Sequence, residues 1–317
     1  MVDSTLAERG SVVPRGRNSA ARGGPVIPAS FKYAAARSVE EAVGLLSDQP
    51  DAKVLAGGHS LLPLMKLRLA NPPVLVDINR IPGLGYIRED QQIGRLRIGA
   101  LARHIDFERS NLIRDRYPML WEAARGIGDP LVRNRGTMAG SVAHADPASD
   151  WPAALLATNG ELVATSPRGE RVLPIDGLYV AILTTSLNPD ELVTEVRVPI
   201  PGPRTGSAYE KLERKVGDYA VIGVGVQVSF NEAGTIANAG IGLCNAGSTS
   251  IKARTAEAFL VGKPPAADNI NEAARLAMED SDPVEDDRGP VDYKRAMVRE
   301  LTRRALARAF DRARGGN

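Results

Sequence analysis

Residues Val54–Ala70 read VLAGGHSLLPLMKLRLA. An apolar run enters the stretch, Gly57 and Gly58 interrupt it, a His-Ser pair follows, and a basic, Leu-rich segment begins. Glycine admits dihedrals closed to other residues and lets a neighbour approach the bare backbone. A buried strand that ends in two glycines is either a plain turn or a place where N–H groups converge on a phosphate. Gly57 and Gly58 meet that second need, and Ser60 adds a hydroxyl donor. What else the chain brings to this turn decides between them.

Outward from this turn, Ser38 reads as a helix N-cap with Glu40 and Glu41 in the first turn, and Ala42, Leu45 and Leu46 supply an apolar stripe. LLPLMKLRLA reads as a short helix or turn broken by Pro63, and Val74–Ile78 as another apolar run with Asp77 and Asn79 at its end. Residues 26–80 thus form a β-α-β-β unit. In residues 81–203, a strand at Leu96–Ile98 precedes a helix, and a second helix runs from Ser110 to Gly126 or Gly128. A glycine-rich polar stretch then turns helical at Trp151, and ELVATS, RVLPI and ELVTEVRVP read as strands. Pro199, Pro201 and Pro203 mark a linker. In residues 204–317, SAYEKLERK, AVIGVGVQVSF and GTIANAGIGLCNA suggest an antiparallel meander, followed by helices. Tyr293, Met297, Leu301 and Ala305 sit at i, i+4 spacing on one face of the last helix. Residues 1–25, rich in Arg, Gly, Ser and Ala, read as a disordered arm without the apolar core of a secretory signal.

The totals exclude several classes. A net charge of +2 over 317 residues argues against nucleic acid or an anionic membrane surface as partner. The one cysteine, Cys244, rules out an intrachain disulfide framework and an iron–sulfur cluster held by this chain alone. His59, His104 and His144 lack metal-ligand spacing. No apolar segment approaches the roughly 20 residues of a membrane span, so the expected location is the cytoplasm. Arginines collect in the arm and near the C-terminus, as solvated surface or as docking surface.

A second run of small residues, Arg135-Gly136-Thr137-Met138-Ala139-Gly140-Ser141, again combines glycines with hydroxyls. Two such loops could hold the two phosphates of one dinucleotide. This is neither the G-x-G-x-x-G of a single βα turn nor a P-loop.

AGGHSLLPLMKLRLA, then RNRGTMAGSVAHADPASDWPAALLA, then KLERKVGDYAVIGVGV together resemble the FAD-binding medium subunit of the molybdenum hydroxylases (the xanthine dehydrogenase family), and within it most the aerobic carbon monoxide dehydrogenase type. The likeness covers residues 26–312. It implies an α+β fold: a two-subdomain FAD-binding domain of the PCMH (vanillyl-alcohol-oxidase-like) type over residues 26–80 and 81–203, then a domain of three-stranded antiparallel sheet plus helical bundle over 204–317. It implies that FAD is bound non-covalently, its pyrophosphate on Ala56, Gly57, Gly58, His59 and Ser60 and on Thr137, Met138, Ala139, Gly140 and Ser141. Ala139 and Ser141 stand where the family usually has Gly and Asn. Asp150 matches the family's aspartate on the flavin side; Asp146 is the alternative, and either can instead cap the helix near Trp151. Lys211 falls on a lysine near the cofactor. Tyr219 falls on a residue against the isoalloxazine ring, or else is a core aromatic at a strand start.

No catalytic residue and no metal ligand is expected on this chain. The resemblance implies an oxidoreductase subunit that relays electrons and does not turn over substrate alone. A large partner subunit would carry the molybdenum cofactor and a small one two 2Fe-2S clusters, in a dimer of heterotrimers with a quinone or other acceptor. Such a complex would be cytoplasmic or peripheral at the inner face of the membrane. A stand-alone FAD-dependent oxidase or reductase, and an interaction subunit that has lost its cofactor, are the competing expectations.

Overall fold

The computed structural model describes residues 27–316, so the arm assigned to residues 1–25 lies outside the described residues. The first unit is built from β1 (Lys32–Ala35), α1 (Val39–Asp48), β2 (Lys53–Leu55), α2 (Leu61–Lys66) and β3 (Val74–Asp77). Its three strands are parallel, in the order β1-β3-β2. Ser38 caps α1 as expected, its side chain accepting from the Glu41 N–H. Central β3 is buried along its whole length. The expectation of a buried strand before Gly57 needs correction: β2 is an edge strand and only half buried. Pro63 does not break α2. It is the third residue of that helix, where an N–H would have no intrahelical acceptor.

The second unit holds β4 (Ile87–Asp90), β5 (Arg95–Gly99), α3 (His104–Arg109), α4 (Asn111–Arg116), α5 (Pro118–Arg125), α6 (Pro130–Arg133), α7 (Met138–His144), α8 (Asp150–Ala157), β6 (Glu161–Ser166), β7 (Gly169–Pro174), the small hairpin β8 (Tyr179–Ala181) and β9 (Thr184–Thr185), and β10 (Leu192–Pro199). Its main sheet is antiparallel, in the order β4-β5-β10-β6-β7. The single helix expected from Ser110 is two, because Tyr117 leaves the helical region before Pro118, which then starts α5. The glycine-rich second stretch contains two short helices, α6 and α7, that its composition hid. Buried residues of the first two sheets and their helices form one continuous apolar core, joined through Ala42, Val43 and Leu46 of α1.

The remaining elements are β11 (Thr205–Leu212), β12 (Ile222–Phe230), β13 (Ile236–Cys244), the two-residue β14 (Ile251–Lys252), α9 (Arg254–Leu260), α10 (Ala267–Asp280) and α11 (Val291–Ala313). The three expected strands form the meander, with β14 added at its edge. On α11, Leu301 and Ala305 are buried against the sheet, but Tyr293 is exposed; the inward face runs instead through Val298, Leu301, Ala305, Leu306 and Ala309. Helix α8 is buried on every side because it lies between the second unit and the meander. A Cβ on Gly242 of β13 would sit 1.9 Å from the Ala153 carbonyl oxygen, so the sheet meets α8 backbone to backbone.

Candidate cofactor site

The two small-residue stretches touch. A Cβ built on Gly57 would lie 2.4 Å from the carbonyl oxygen of Arg135 and 2.8 Å from the Cα of Gly136. Only glycine at 57 allows this approach. Gly58 takes φ +79°, which turns the chain into α2. Among the described residues, no protein acceptor meets the N–H groups of Gly57, Gly58, His59 or Ser60. Ala56 and Ser60 are half buried and His59 is exposed.

The second stretch is the first turn of α7 rather than a loop. Thr137 is its N-cap, accepting from the Gly140 N–H at 3.0 Å. Ser141 donates its N–H to the Thr137 carbonyl. Met138 and Ala139 occupy the first helical positions, where N–H groups have no intrahelical acceptor; both side chains are buried, so these residues offer backbone alone. The small residues therefore supply a helix N-terminus and a facing turn, a donor-rich arrangement suited to an anion.

Behind the contact stands His104, which sequence reasoning left without a role. Its backbone N–H donates to the Gly136 carbonyl at 3.0 Å, and its Nδ1 accepts from the Trp151 indole at 3.1 Å. A Cβ on Gly136 would fall 2.6 Å from its Nε2. Burial, with smaller contributions from His59, Arg103 and Arg133, pushes its pKa down to about 3, so the ring is neutral and acts as a packing wall. His144 ends α7 and is half buried.

Asp150 and Lys211, 61 residues apart, are brought together. The Lys211 ammonium donates to Asp150 Oδ2 at 3.0 Å and to the Gly126 carbonyl at 2.7 Å. Tyr209, absent from the sequence-based site, donates its hydroxyl to Asp150 Oδ1 at 2.9 Å. The signal for Tyr209 was the strand period, which places residues 209 and 211 on one face of β11. Burial raises the Asp150 pKa, and Lys211 and Tyr209 oppose that. Burial works to lower Lys211, and the Asp150 charge outweighs it. Neither aspartate caps α8 through its side chain: Ser149 is the N-cap residue, Asp150 faces the lysine, and Asp146 accepts from the Ala148 N–H.

Tyr219 lies on the connection between β11 and β12 and is 45% exposed, so it is not a core aromatic. Burial around its hydroxyl raises its pKa, with Asp146 adding to the effect and Ser60 opposing it. The structure thus offers touching donor turns, a buried carboxylate–ammonium pair and an exposed aromatic. Among the described residues, no cluster of side chains could hold a metal ion, and no helix is long and apolar enough to cross a membrane.

This is an α+β protein with a two-part nucleotide-binding architecture followed by a sheet-and-helix domain. Residues 29–201 match the family described as the FAD binding domain in molybdopterin dehydrogenase, and residues 207–309 match the CO dehydrogenase flavoprotein C-terminal domain. The chain is 43% identical over 288 residues to the carbon monoxide dehydrogenase medium chain of Hydrogenophaga pseudoflava, covering 90% of this chain and 99% of that one. It is 42% identical to the 6-hydroxypseudooxynicotine dehydrogenase complex subunit alpha of Paenarthrobacter nicotinovorans, covering 90% and 97%. The solved carbon monoxide dehydrogenase of H. pseudoflava, a form lacking the Mo-pyranopterin moiety of its molybdenum cofactor, superimposes with a TM-score of 0.87 at 45% identity, covering 90% and 99%. The chain belongs to the FAD-binding medium subunits of the molybdenum hydroxylases and is an oxidoreductase subunit.

Proposed function

We propose that the chain is the electron-transfer flavoprotein of a carbon monoxide dehydrogenase-type complex, and that it holds FAD non-covalently between residues 26–80 and 81–203, with 204–317 closing the site. The observation that carries this reading is the backbone contact of Gly57 with Arg135 and Gly136, which joins two donor sets from distant parts of the chain. The diphosphate would take the free N–H groups of Gly57–Ser60 and of Met138 and Ala139. Asp150, held by Lys211 and Tyr209, would offer a fixed acceptor toward the flavin side, and Tyr219 would cover the ring.

FAD supplies reversible one- and two-electron chemistry when bound. The chain's own residues bind it, orient it and keep its diphosphate out of bulk water. Electrons would arrive from 2Fe-2S clusters on a small partner chain, after oxidation of substrate at the molybdenum cofactor of a large one. They would leave to a quinone at the cytoplasmic face of the membrane. The near-equal identity to the 6-hydroxypseudooxynicotine dehydrogenase subunit supports a second reading, oxidation of an N-heterocycle by the holoenzyme.

The test is purification of the full chain with the chains that accompany it. The expected product has a flavin absorption band that passes into the filtrate after acid denaturation, and it oxidises either CO or a heterocycle in a substrate panel. The full chain alone should reduce no dye with either substrate; turnover by the isolated chain would establish the stand-alone oxidase instead.

A further inference from the structure

Arg103, the N-cap residue of α3, is pinned on its backbone side to the second donor set. It forms an antiparallel bridge with Thr137, and its N–H donates to Asp106 at 2.7 Å. Its side chain makes a second set of bonds. The guanidinium donates from Nη1 to the Arg135 carbonyl and from Nη2 to Asn79 Oδ1. Asn79 in turn donates its amide to the Ala56 carbonyl at 2.8 Å and its backbone N–H to Asp77 Oδ1 at 2.8 Å. The other Asp77 oxygen accepts from the Tyr33 hydroxyl. A continuous line of hydrogen bonds therefore runs from Ala56 through Asn79 and Arg103 to Arg135, beside the Gly57 contact.

The charge arrangement around this line is unusual. Arg103 is half buried, and burial together with the neighbouring Arg135 lowers its pKa, while Asp106 and Asp77 oppose that. Among the described residues, the Arg135 side chain makes no hydrogen bond or ion pair, although its backbone forms part of the contact. One guanidinium, that of Arg103, is thus engaged on both of its partners, while the other belongs to a residue whose backbone touches Gly57 and whose side chain has no bonded partner among the described residues.

We propose that Arg103 is a positioning residue for a diphosphate: its planar fork, bonded to Asn79 on one side and to the Arg135 carbonyl on the other, sets the gap between the two donor turns, and the free guanidinium of Arg135 meets the anion. This rests on the FAD reading above and adds to it the two side chains that determine diphosphate affinity. A planar fork suits this task because two bonds leave in fixed directions, whereas an ammonium is a single point of contact.

The probes are FAD and ADP, which share the diphosphate, titrated into flavin-depleted full chain together with its accompanying chains. Arg103→Met should weaken both by about ten- to a hundredfold, the loss expected for one or two bonds to a charged group. Arg103→Lys should recover part of that. The visible spectrum of FAD bound at saturation should not change, because the ring site is elsewhere. Arg135→Gln should weaken both ligands and flatten the salt dependence of binding. Wild-type affinity in Arg103→Met and Arg103→Lys, with affinity lost in Gly57→Ala, overturns the role of Arg103 and leaves the FAD reading standing. Wild-type affinity in Gly57→Ala as well overturns that reading itself. A changed saturated spectrum with unchanged ADP binding assigns Arg103 a general structural role and also overturns the proposal. Should Arg103→Met fail to fold, Arg103→Lys and Asn79→Ser give the same decision.

Discussion

The sharpest consequence concerns a single methyl group. In Gly57→Ala the new Cβ would start 2.4 Å from the Arg135 oxygen, and ordinary contact begins near 3.4 Å, so the two backbones must part by about 1 Å. Neither neighbour is a side chain that can swing away. Overpacking of this kind costs about 1–3 kcal/mol of fold stability. The effect on ligand is larger. An N–H···O bond of about 2.9 Å stretched by about 1 Å is no longer a hydrogen bond. Losing two bonds to a charged phosphate, at about 1.5–3 kcal/mol each, weakens FAD by about a hundredfold or more. Gly58→Ala is the contrast. There the Cβ meets Leu62 Cδ1 at 2.9 Å, a side-chain end that can move, and the strain lies in φ +79°. That variant should lose about 1–2 kcal/mol of stability and keep its flavin. The assay is the flavin-to-protein absorbance ratio of each purified variant, with thermal unfolding alongside. A Gly57→Ala protein with wild-type flavin content and wild-type Tm would refute the idea that the two turns meet to grip a diphosphate.

Three further outcomes follow from the same geometry. His104 has its folded pKa depressed to about 3 from 6.5, so the unfolded chain takes up the proton first and stability falls as pH drops below 6.5. Between pH 6.5 and 4.5 the loss is about 2 kcal/mol, measured by urea unfolding at both pH values, and His104→Gln should show a smaller loss; His144, shifted in the same direction, remains in both proteins. Asp150→Asn leaves the Lys211 ammonium with only the Glu213 carboxylate, 3.6 Å away, as counter-charge and should cost about 2–3 kcal/mol in chemical denaturation, less than the roughly 3–5 kcal/mol of a fully unpaired buried charge; a neutral outcome would show that Glu213 alone balances the ammonium. Glu122 of α5 accepts from Arg308 and Arg312 of α11 and from the Tyr209 N–H of β11 at 2.8 Å, so it fastens the last domain to the second unit. Glu122→Ala should cost about 2–4 kcal/mol and split the unfolding transition in two, visible by differential scanning calorimetry.

Much of this protein could be read locally. The Ser38 cap, the buried run Val74–Ile78, the three strands of the meander and the closing helices all announced themselves through neighbours within a few residues, because capping and hydrophobic period are short-range effects. The donor turns were visible for the same reason: glycine and serine mark places where backbone stays bare. Motif order then pointed to the family, and the domain matches and identities agree with it. Local signals also misled. Pro63 looked like a breaker but sits in a first turn, and the small residues after Gly136 looked like loop but form α7.

Other features depended on the assembled fold. That Gly57 rests against Arg135 follows from how the first parallel sheet packs beside the second unit, and no spacing of 78 residues encodes it. Arg103, Asn79, His104 and Tyr209 carry no motif; each became part of the site only when its partner arrived from a distant segment. The pairing of Asp150 with Lys211 has the same origin, since burial decides whether two such charges must find each other. Residue order selects local conformation through sterics and nearby hydrogen bonds, while long-range contacts arise from burying shared apolar surface, and it is that packing which brought these polar groups face to face.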